Sequence, residues 1–145
     1  MQAIILAGGK GTRLLPHTAN LPKPLMPMGE MPILEIIVMQ LKNAGASSII
    51  MAVGHLHHMI EAHFGDGSDF GIPISYSLED KPLGTAGPLN LIYEKLEENF
   101  IVLNGDLLTT LNFENLFNEH IRSNASATIA TFKRTVDIDF GVLEK

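Results

Sequence analysis

Cysteine and tryptophan are both absent from the 145-residue sequence, and it contains neither a long apolar run nor an excess of positive charge. The lack of cysteine excludes disulfides, thiolate nucleophiles and Cys-ligated metals, and it fits a reducing compartment. No stretch reaches the roughly 18 apolar residues that a membrane-spanning helix needs, and the amino terminus lacks the cationic segment of a signal peptide. We therefore expect a soluble, cytoplasmic protein that does not contact a membrane.

Acidic residues outnumber basic ones by sixteen to ten, which gives a formal net charge of −6. This balance repels the phosphate backbone of a nucleic acid, so we expect no nucleic-acid partner. Hydrophobic residues make up 46% and charged residues 18% of the chain, which is typical of a globular protein. The length corresponds to one domain, and we expect it to span residues 1–145.

Short β-rich runs alternate with segments of helical periodicity along the chain. The predicted strands are Ala3–Leu6, Ser48–Val53, Ile74–Leu78, Phe100–Leu103, Ala127–Phe132 and Phe140–Leu143. The predicted helices are Ile33–Ala44, Met59–Phe64, Ala86–Glu97 and Glu114–Ser123, with Gly45 ending the first and Thr85 capping the third. This alternation indicates βαβ crossovers. It predicts an α/β fold, a Rossmann-like three-layer α/β/α sandwich with a mainly parallel sheet.

The segment after the first predicted strand, LAGGKGTRLLPHTANLPKPLMP, contains three glycines, three cations and four prolines within residues 6–27. In parallel sheets, ligands bind beyond the carboxyl ends of the strands, where this segment lies. It does not match the Walker A pattern, because Gly11 follows Lys10. It does not match the dinucleotide fingerprint either, because Leu14 stands where a third glycine is required.

The physical requirements for binding an anion are nevertheless present in this segment. Glycines let backbone N–H groups approach a ligand closely, and Arg13 offers a planar fork to phosphate oxygens. Pro22 and Pro24 restrict the backbone on both sides of Lys23, which favours a fixed position for this lysine. A flexible glycine turn followed by an irregular proline-rich connection is the alternative, and the combination of features favours anion binding.

Two further segments follow strands, EDKPLGTAGPL at residues 79–89 and NGDLL at residues 104–108. Asp106 lies just beyond the predicted strand Phe100–Leu103, at the edge where phosphates would bind. A carboxylate there is the kind of ligand that a hard cation such as Mg²⁺ prefers. An Asx-type turn closing a strand is the alternative interpretation of this aspartate.

Together, LAGGKGTRLLPHTANLPKPLMP, PLGTAGPL and NGDLL closely resemble the signature segments of the sugar-phosphate nucleotidyltransferases, also called nucleotide-diphosphate-sugar pyrophosphorylases. The resemblance implies a fold of the nucleotide-diphospho-sugar transferase type and a reaction that joins a nucleoside triphosphate to a sugar 1-phosphate, releasing pyrophosphate. The nucleophile is a phosphate oxygen that is already ionised at neutral pH. Such an enzyme needs to align two anions and neutralise their charge rather than activate a side chain.

The same resemblance assigns roles to individual residues. Arg13 would hold the β- and γ-phosphates, Lys23 would reach the reacting phosphates, and Asp106 would bind the Mg²⁺ cofactor, so these three are the expected catalytic residues. The expected nucleotide-binding residues are Leu6, Ala7, Gly8, Gly9, Lys10, Gly11, Thr12, Glu79, Gly84, Thr85, Ala86, Gly87, Asn104 and Gly105.

Glu79 occupies, by resemblance, the position that meets the edge of the nucleobase. A carboxylate accepts hydrogen bonds and cannot donate them, and guanine presents two adjacent donors, N1–H and the 2-amino group. Glu79 therefore indicates GTP. The residues give no comparable argument for the sugar, and the resemblance implies mannose 1-phosphate or a related hexose 1-phosphate as the second substrate. Two alternatives remain: thymidylyl or uridylyl transfer to glucose 1-phosphate, and a non-catalytic regulatory module that binds a nucleotide sugar.

Members of this family ordinarily continue beyond the length of this chain, and their later part supplies another lysine, a second metal-binding aspartate and most of the sugar pocket. We therefore expect the chain to be truncated, with the C-terminal sugar-binding part absent. An unpaired terminal strand and uncovered apolar surface would favour a homo-oligomer.

Overall fold

The computed structural model describes residues 1–9, 11, 20–81, 83–136 and 141. Its strands are β1 (Gln2–Ala7), β2 (Pro27–Met28), β3 (Met31–Pro32), β4 (Ser48–Val53), β5 (Ile74–Leu78) and β6 (Phe100–Asn104). Its α-helices are α1 (Ile33–Asn43), α2 (His57–Phe64), α3 (Gly87–Leu91) and α4 (Phe113–Ser123). Four strands form a parallel sheet of order β5-β4-β1-β6, and β2 and β3 form a small antiparallel hairpin.

Helices cover both faces of the parallel sheet. Successive side chains of a strand point to opposite faces, so β1 contributes Ile5 to one core and Ile4 to the other. The core on the Ile5 side contains buried residues of α1, α2 and α4, namely Leu34, Ile37, Val38, Leu41, Ile60, Phe64 and Phe113. The core on the Ile4 side contains Ile50 and Ile92, with Leu89 of α3 packed against it. The predicted three-layer α/β/α sandwich with a parallel sheet is thus confirmed.

The longer helices begin and end close to the predicted residues, because local signals define their ends. Helix α1 is followed by Gly45, whose φ of 81° is a left-handed conformation that glycine adopts without strain. Helix α4 is capped by Asn112, whose side-chain oxygen accepts a 2.8 Å hydrogen bond from the backbone N–H of Asn115. Helix α2 begins at His57, two residues before the predicted start. Within the described ranges, none of the helices combines the length and apolar character that crossing a membrane requires.

The third predicted helix, Ala86–Glu97, is wrong in its extent. Helix α3 ends at Leu91, and a separate 3-10 turn follows at Tyr93–Lys95. Ile92 leaves helical geometry, with φ of −116° and ψ of 12°, and its side chain is buried in the second core. Thr85 is not the cap: the N-cap is Ala86, without a side-chain hydrogen bond. Pro88 lies in the first turn, where a proline has no N–H that a cap could satisfy.

The predicted strand Ala127–Phe132 is also wrong. Residues 125–136 form no regular secondary structure, and Ile129 and Phe132 are 82% and 89% exposed. Their composition suits a half-buried sheet surface, but a strand also needs a partner backbone. Among the described residues no strand pairs with the outer side of β6. Of the predicted strand Phe140–Leu143, only Gly141 lies within the described residues, where it is not part of a strand.

The packing of α1 against the sheet gives a test of the core. Ile37 is completely buried, and Met39, two residues along the same helix, is 44% exposed. We expect Ile37→Ala to lower the free energy of unfolding by about 2–5 kcal/mol, since it leaves a cavity in the core. The exposed control, Met39→Ala, should change it by no more than about 0.5 kcal/mol. Urea titrations of both variants measure the difference, and similar losses in the two would contradict this packing.

Candidate functional site

The loops that follow β1, β5 and β6 meet at the carboxyl edge of the sheet around a cavity of about 350 Å³. The strands are parallel and β1 lies between β4 and β6, so their carboxyl ends share one edge. The residues that line the cavity are Leu6, Ala7, Gly8, Gly9, Gly11, Lys23, Pro24, Glu79, Leu83, Gly84, Thr85, Pro88, Asn104 and Asp106. Segments far apart in the sequence therefore form one concave surface.

The glycine-rich loop after β1 forms one wall of this cavity. Gly8, Gly9 and Gly11 all line it. The loop lies tightly against the turn after β4, because a Cβ on Gly54 would stand only 3.0 Å from the carbonyl oxygen of Gly8. A glycine at residue 54 thus permits the close approach of the two loops. Three residues predicted for this wall, Lys10, Thr12 and Arg13, lie outside the described residues.

Lys23 and Asp106 form an ion pair at the cavity, although 83 residues separate them in the sequence. Lys23 begins a 3-10 turn, Lys23–Leu25, in which Pro24 and Leu25 are buried. Asp106 lies in the turn after β6, where the N–H of Leu107 donates to the Asn104 carbonyl at 3.3 Å. Both charged side chains are about one third exposed, at 33% and 31%. A pair of this exposure contributes at most about 1 kcal/mol to the free energy of unfolding. Its main effect is to hold the two side chains next to each other at the cavity.

The loop after β6 is held against the rest of the molecule by two contacts. The backbone N–H of Gly105 donates to the Leu6 carbonyl at 2.9 Å, which extends the pairing of β6 with β1 beyond the strand. The side chain of Gln40, in α1, donates to the Thr109 carbonyl at 3.0 Å. Together these contacts fix the position from which Asp106 reaches the cavity.

Asp106 is the residue of this site that could hold a metal ion. Across the described part of the chain, no group of three or more His, Asp or Glu residues is arranged to bind a metal. Mg²⁺, however, commonly binds through one or two carboxylates and completes its shell with water and substrate phosphates. The Asp106 carboxylate is paired with the Lys23 ammonium, so Mg²⁺ binding there would require this ion pair to open.

The loop after β5 forms another wall. Glu79 follows β5, and its backbone N–H donates to the Val53 carbonyl at 2.8 Å. Its carboxylate accepts a long hydrogen bond, 3.4 Å, from the backbone N–H of Leu83. Gly84 turns the chain with a φ of 76°, a conformation that favours glycine. This wall therefore presents a carboxylate beside an apolar side chain.

Three of the predicted binding residues do not line the cavity: Ala86, Gly87 and Gly105. They lie directly behind its walls. A Cβ on Gly87 would stand 2.5 Å from the Cβ of Leu83, and one on Gly105 would stand 3.2 Å from the Ile5 side chain. Both glycines thus permit close packing behind the lining residues, whereas Ala86 is the N-cap of α3.

The sequence analysis did not identify three lining residues, Pro24, Leu83 and Pro88. Each lies within or beside a segment that was recognised, PKP or PLGTAGPL, which is the signal that could have identified them. They add apolar surface to a cavity that is also lined by backbone and charged groups. A cavity with both kinds of lining can accept a ligand with a charged end and a flat, less polar end.

The comparisons with known proteins agree with this geometry. The family model described as nucleotidyl transferase matches residues 2–145. The chain is 40% identical over 131 residues to D-glycero-alpha-D-manno-heptose 1-phosphate guanylyltransferase of Aneurinibacillus thermoaerophilus, covering 90% of this chain and 56% of that protein. It is 41% identical over 147 residues to mannose-1-phosphate guanyltransferase beta-B of Xenopus laevis, covering 99% of this chain and 41% of that protein.

A solved structure assigned as a glucose-1-phosphate thymidylyltransferase from Bacillus anthracis superposes with a TM-score of 0.79 at 31% identity, over 84% of this chain and 50% of that one. The chain spans about half the length of the relatives it matches. The family match covers nearly the whole chain, and the glycine-rich loop and the ion pair both lie within it. The chain belongs to the nucleotidyl transferase family, as the resemblance of its signature segments to the sugar-phosphate nucleotidyltransferases predicted.

Proposed function

We propose that this chain carries the nucleotide-binding and reacting-phosphate part of an enzyme that joins a nucleoside triphosphate to a sugar 1-phosphate. The proposed substrates are GTP and mannose 1-phosphate or a related hexose 1-phosphate. The observation that carries the proposal is the Lys23–Asp106 pair, which lines, together with the glycine-rich loop, one cavity at the carboxyl edge of the sheet.

The proposed reaction needs alignment and charge rather than an activated side chain. An ionised oxygen of the sugar phosphate attacks the α-phosphorus of the nucleotide, a new P–O bond forms, and the bond to the bridging oxygen of the β-phosphate breaks, so pyrophosphate leaves. The ammonium of Lys23 would neutralise charge on the reacting phosphates. Backbone N–H groups of the loop that contains Gly8 and Gly9 would bind phosphate oxygens, and Arg13 would hold the β- and γ-phosphates.

The residues present also suit a magnesium ion. Asp106 would bind Mg²⁺ through its carboxylate, and the bound ion would neutralise the triphosphate and the departing pyrophosphate. Asp106 and Lys23 would then share the binding of one anionic ligand from adjacent positions. The exposure of both side chains leaves them accessible to a ligand that enters from solvent.

Glu79 supports guanine as the base. Its carboxylate lines the cavity and is an acceptor, which matches the adjacent N1–H and 2-amino donors of guanine. The two curated relatives described above are both guanylyltransferases by name. The similar solved structure is assigned as a thymidylyltransferase, which keeps thymidylyl or uridylyl transfer to glucose 1-phosphate as the second candidate.

Substrate choice is tested by measuring pyrophosphate release with Mg²⁺ for GTP, dTTP, UTP, ATP and CTP, each combined with mannose, glucose and other hexose 1-phosphates. We expect GTP with mannose 1-phosphate to give the highest kcat/KM, because Glu79 would accept both guanine donors. Preference for dTTP or UTP would favour the second candidate. Nucleotide-sugar binding without turnover would instead indicate a regulatory module. If calorimetry also detects no nucleotide or nucleotide-sugar binding, the proposed function is wrong.

The roles of the charged residues are tested with Asp106→Ala and Arg13→Ala. Each should lower kcat by about 10²–10³-fold, since each removes charge that stabilises the transition state. The matched control is Asp69→Ala, which removes an exposed carboxylate in the 3-10 turn Ser68–Phe70, a segment that does not line the cavity. Circular dichroism verifies folding. A near-normal rate in either folded variant would show that the residue has another role.

We also propose that the chain self-associates through the outer side of β6. This side has no partner strand among the described residues, and Val102 of β6, which is 39% exposed, lines one groove with the exposed Leu107 and Leu111. Sedimentation velocity should show an oligomer whose fraction rises with concentration, and Val102→Lys should reduce it. The control is Leu78→Lys on the other edge strand, β5, where Leu78 is 47% exposed. A monomer at every concentration would contradict this proposal.

A further inference from the structure

The carboxylate of Glu79 occupies the space that a side chain on Gly8 would fill. A Cβ built on Gly8 would stand 2.5 Å from Oε1 and 3.2 Å from Cδ of Glu79. The next nearest atom, the backbone nitrogen of Gly54, would be 3.6 Å away, which is ordinary van der Waals contact. The absence of a side chain at residue 8 therefore creates room for one particular group, the Glu79 carboxylate.

The backbone conformation of residue 8 does not explain the glycine. Gly8 is not among the residues with positive φ, in contrast to Gly11, whose φ is 62°. An alanine could therefore adopt the same backbone conformation without strain. Only the contact with Glu79 would have to change, and a glutamate carboxylate is the flexible end of a side chain.

The rest of Glu79 is held from two other directions. Its backbone N–H is bonded to Val53 of β4, which fixes the Cα position at the end of β5. Its Oε2 accepts from the N–H of Leu83, so the carboxylate lies between the loop after β1 and the loop after β5. Moving the carboxylate away from Gly8 would change its distance to both the Leu83 amide and the interior of the cavity.

We propose that Gly8 is a positioning residue for base recognition, which it serves by admitting the Glu79 carboxylate to the cavity wall. This inference rests on the proposed function, in which Glu79 reads the N1–H and 2-amino donors of guanine. It assigns Gly8 a role distinct from phosphate binding. A methyl group at residue 8 would displace the carboxylate and weaken the reading of the base, while the backbone of the loop stays in place.

The test compares the affinities of GTP and ITP, because ITP lacks the 2-amino group and keeps N1–H. Hydrogen bonds to a charged acceptor correspond to about ten- to hundredfold in affinity. Calorimetry with Mg²⁺ on the full chain should therefore show wild type binding GTP at least tenfold more tightly than ITP. Gly8→Ala should bring this ratio close to one, since the displaced carboxylate no longer meets the 2-amino group.

Gly9→Ala is the matched control. It adds the same methyl group one residue along the loop, where a Cβ would meet no atom within 4 Å and where φ is not positive. It could alter phosphate binding, but it should do so equally for GTP and ITP. We therefore expect the wild-type ratio in Gly9→Ala. A Gly8→Ala protein that keeps the wild-type ratio would overturn the inference.

A double-mutant cycle asks whether Gly8 acts through Glu79. Glu79→Ala should itself bring the ratio close to one, because it removes the acceptor, and adding Gly8→Ala should cause no further change in the ratio. Additive changes would overturn the inference. If Gly8→Ala does not fold but Gly8→Ala/Glu79→Ala does, the steric conflict is with the Glu79 side chain, as proposed. Failure of both to fold would mean that the backbone itself requires glycine, which would overturn it.

The outcomes also separate this inference from the proposed function. Wild type that binds no nucleotide would refute both. Wild type that prefers dTTP or UTP would refute the guanine assignment, and with it the role of Gly8. Wild type that distinguishes GTP from ITP, together with a Gly8→Ala variant that distinguishes them equally well, would refute only the positioning role.

Discussion

The parallel pairing of β1 with strands on both sides is the constraint on which the site depends. β1 pairs residue for residue with β4 over Gln2–Ala7 and with β6 over Gln2–Leu6, so all three strands end at the same edge. The glycine-rich loop can therefore meet the turn that holds Asp106, although about a hundred residues separate them in the sequence. A shift of either neighbour by one residue would invert its side chains between the two cores. Burial of Ile101 and Leu103 in β6 and of both faces of β4 therefore fixes the geometry of the site.

The charged side chains of Lys23 and Asp106 are held at this edge by the restricted backbone around them more than by their attraction to each other. The Lys23–Asp106 pair is too exposed to contribute much to stability. Lys23 is held in place because Pro24 and Leu25 beside it are buried and because the 3-10 turn fixes its backbone. Asp106 is held because the turn after β6 is bonded to β1 and to α1. Lys23 and Asp106 can therefore separate and contact a ligand instead, with little loss in the free energy of unfolding.

The sequence predicted the parts of the structure that local patterns decide. Strands β4 and β5 have the predicted limits, because each is a β-rich run bounded by turn residues. Lys23, Glu79 and Asp106 line one cavity, and the expectation that they share a site came from the family resemblance together with the places of their segments after strands. Element boundaries and strand pairings that depend on tertiary contacts could not be predicted from local patterns. The end of α3 depends on the burial of Ile92 in the second core, and residues 127–132 have the composition of a strand without a partner backbone.

Two walls of the cavity come from loops that follow different strands. Lys23 and Asp106 lie on the side of β1 and β6, whereas Glu79 and Leu83 come from the loop after β5. In the proposed function, a change in the β5 loop would alter which base is accepted without moving the charged pair. The two walls meet at Gly8, where a Cβ would stand 2.5 Å from the Glu79 carboxylate, so in the proposed function selection of the base would depend on the same loop that would bind the phosphates.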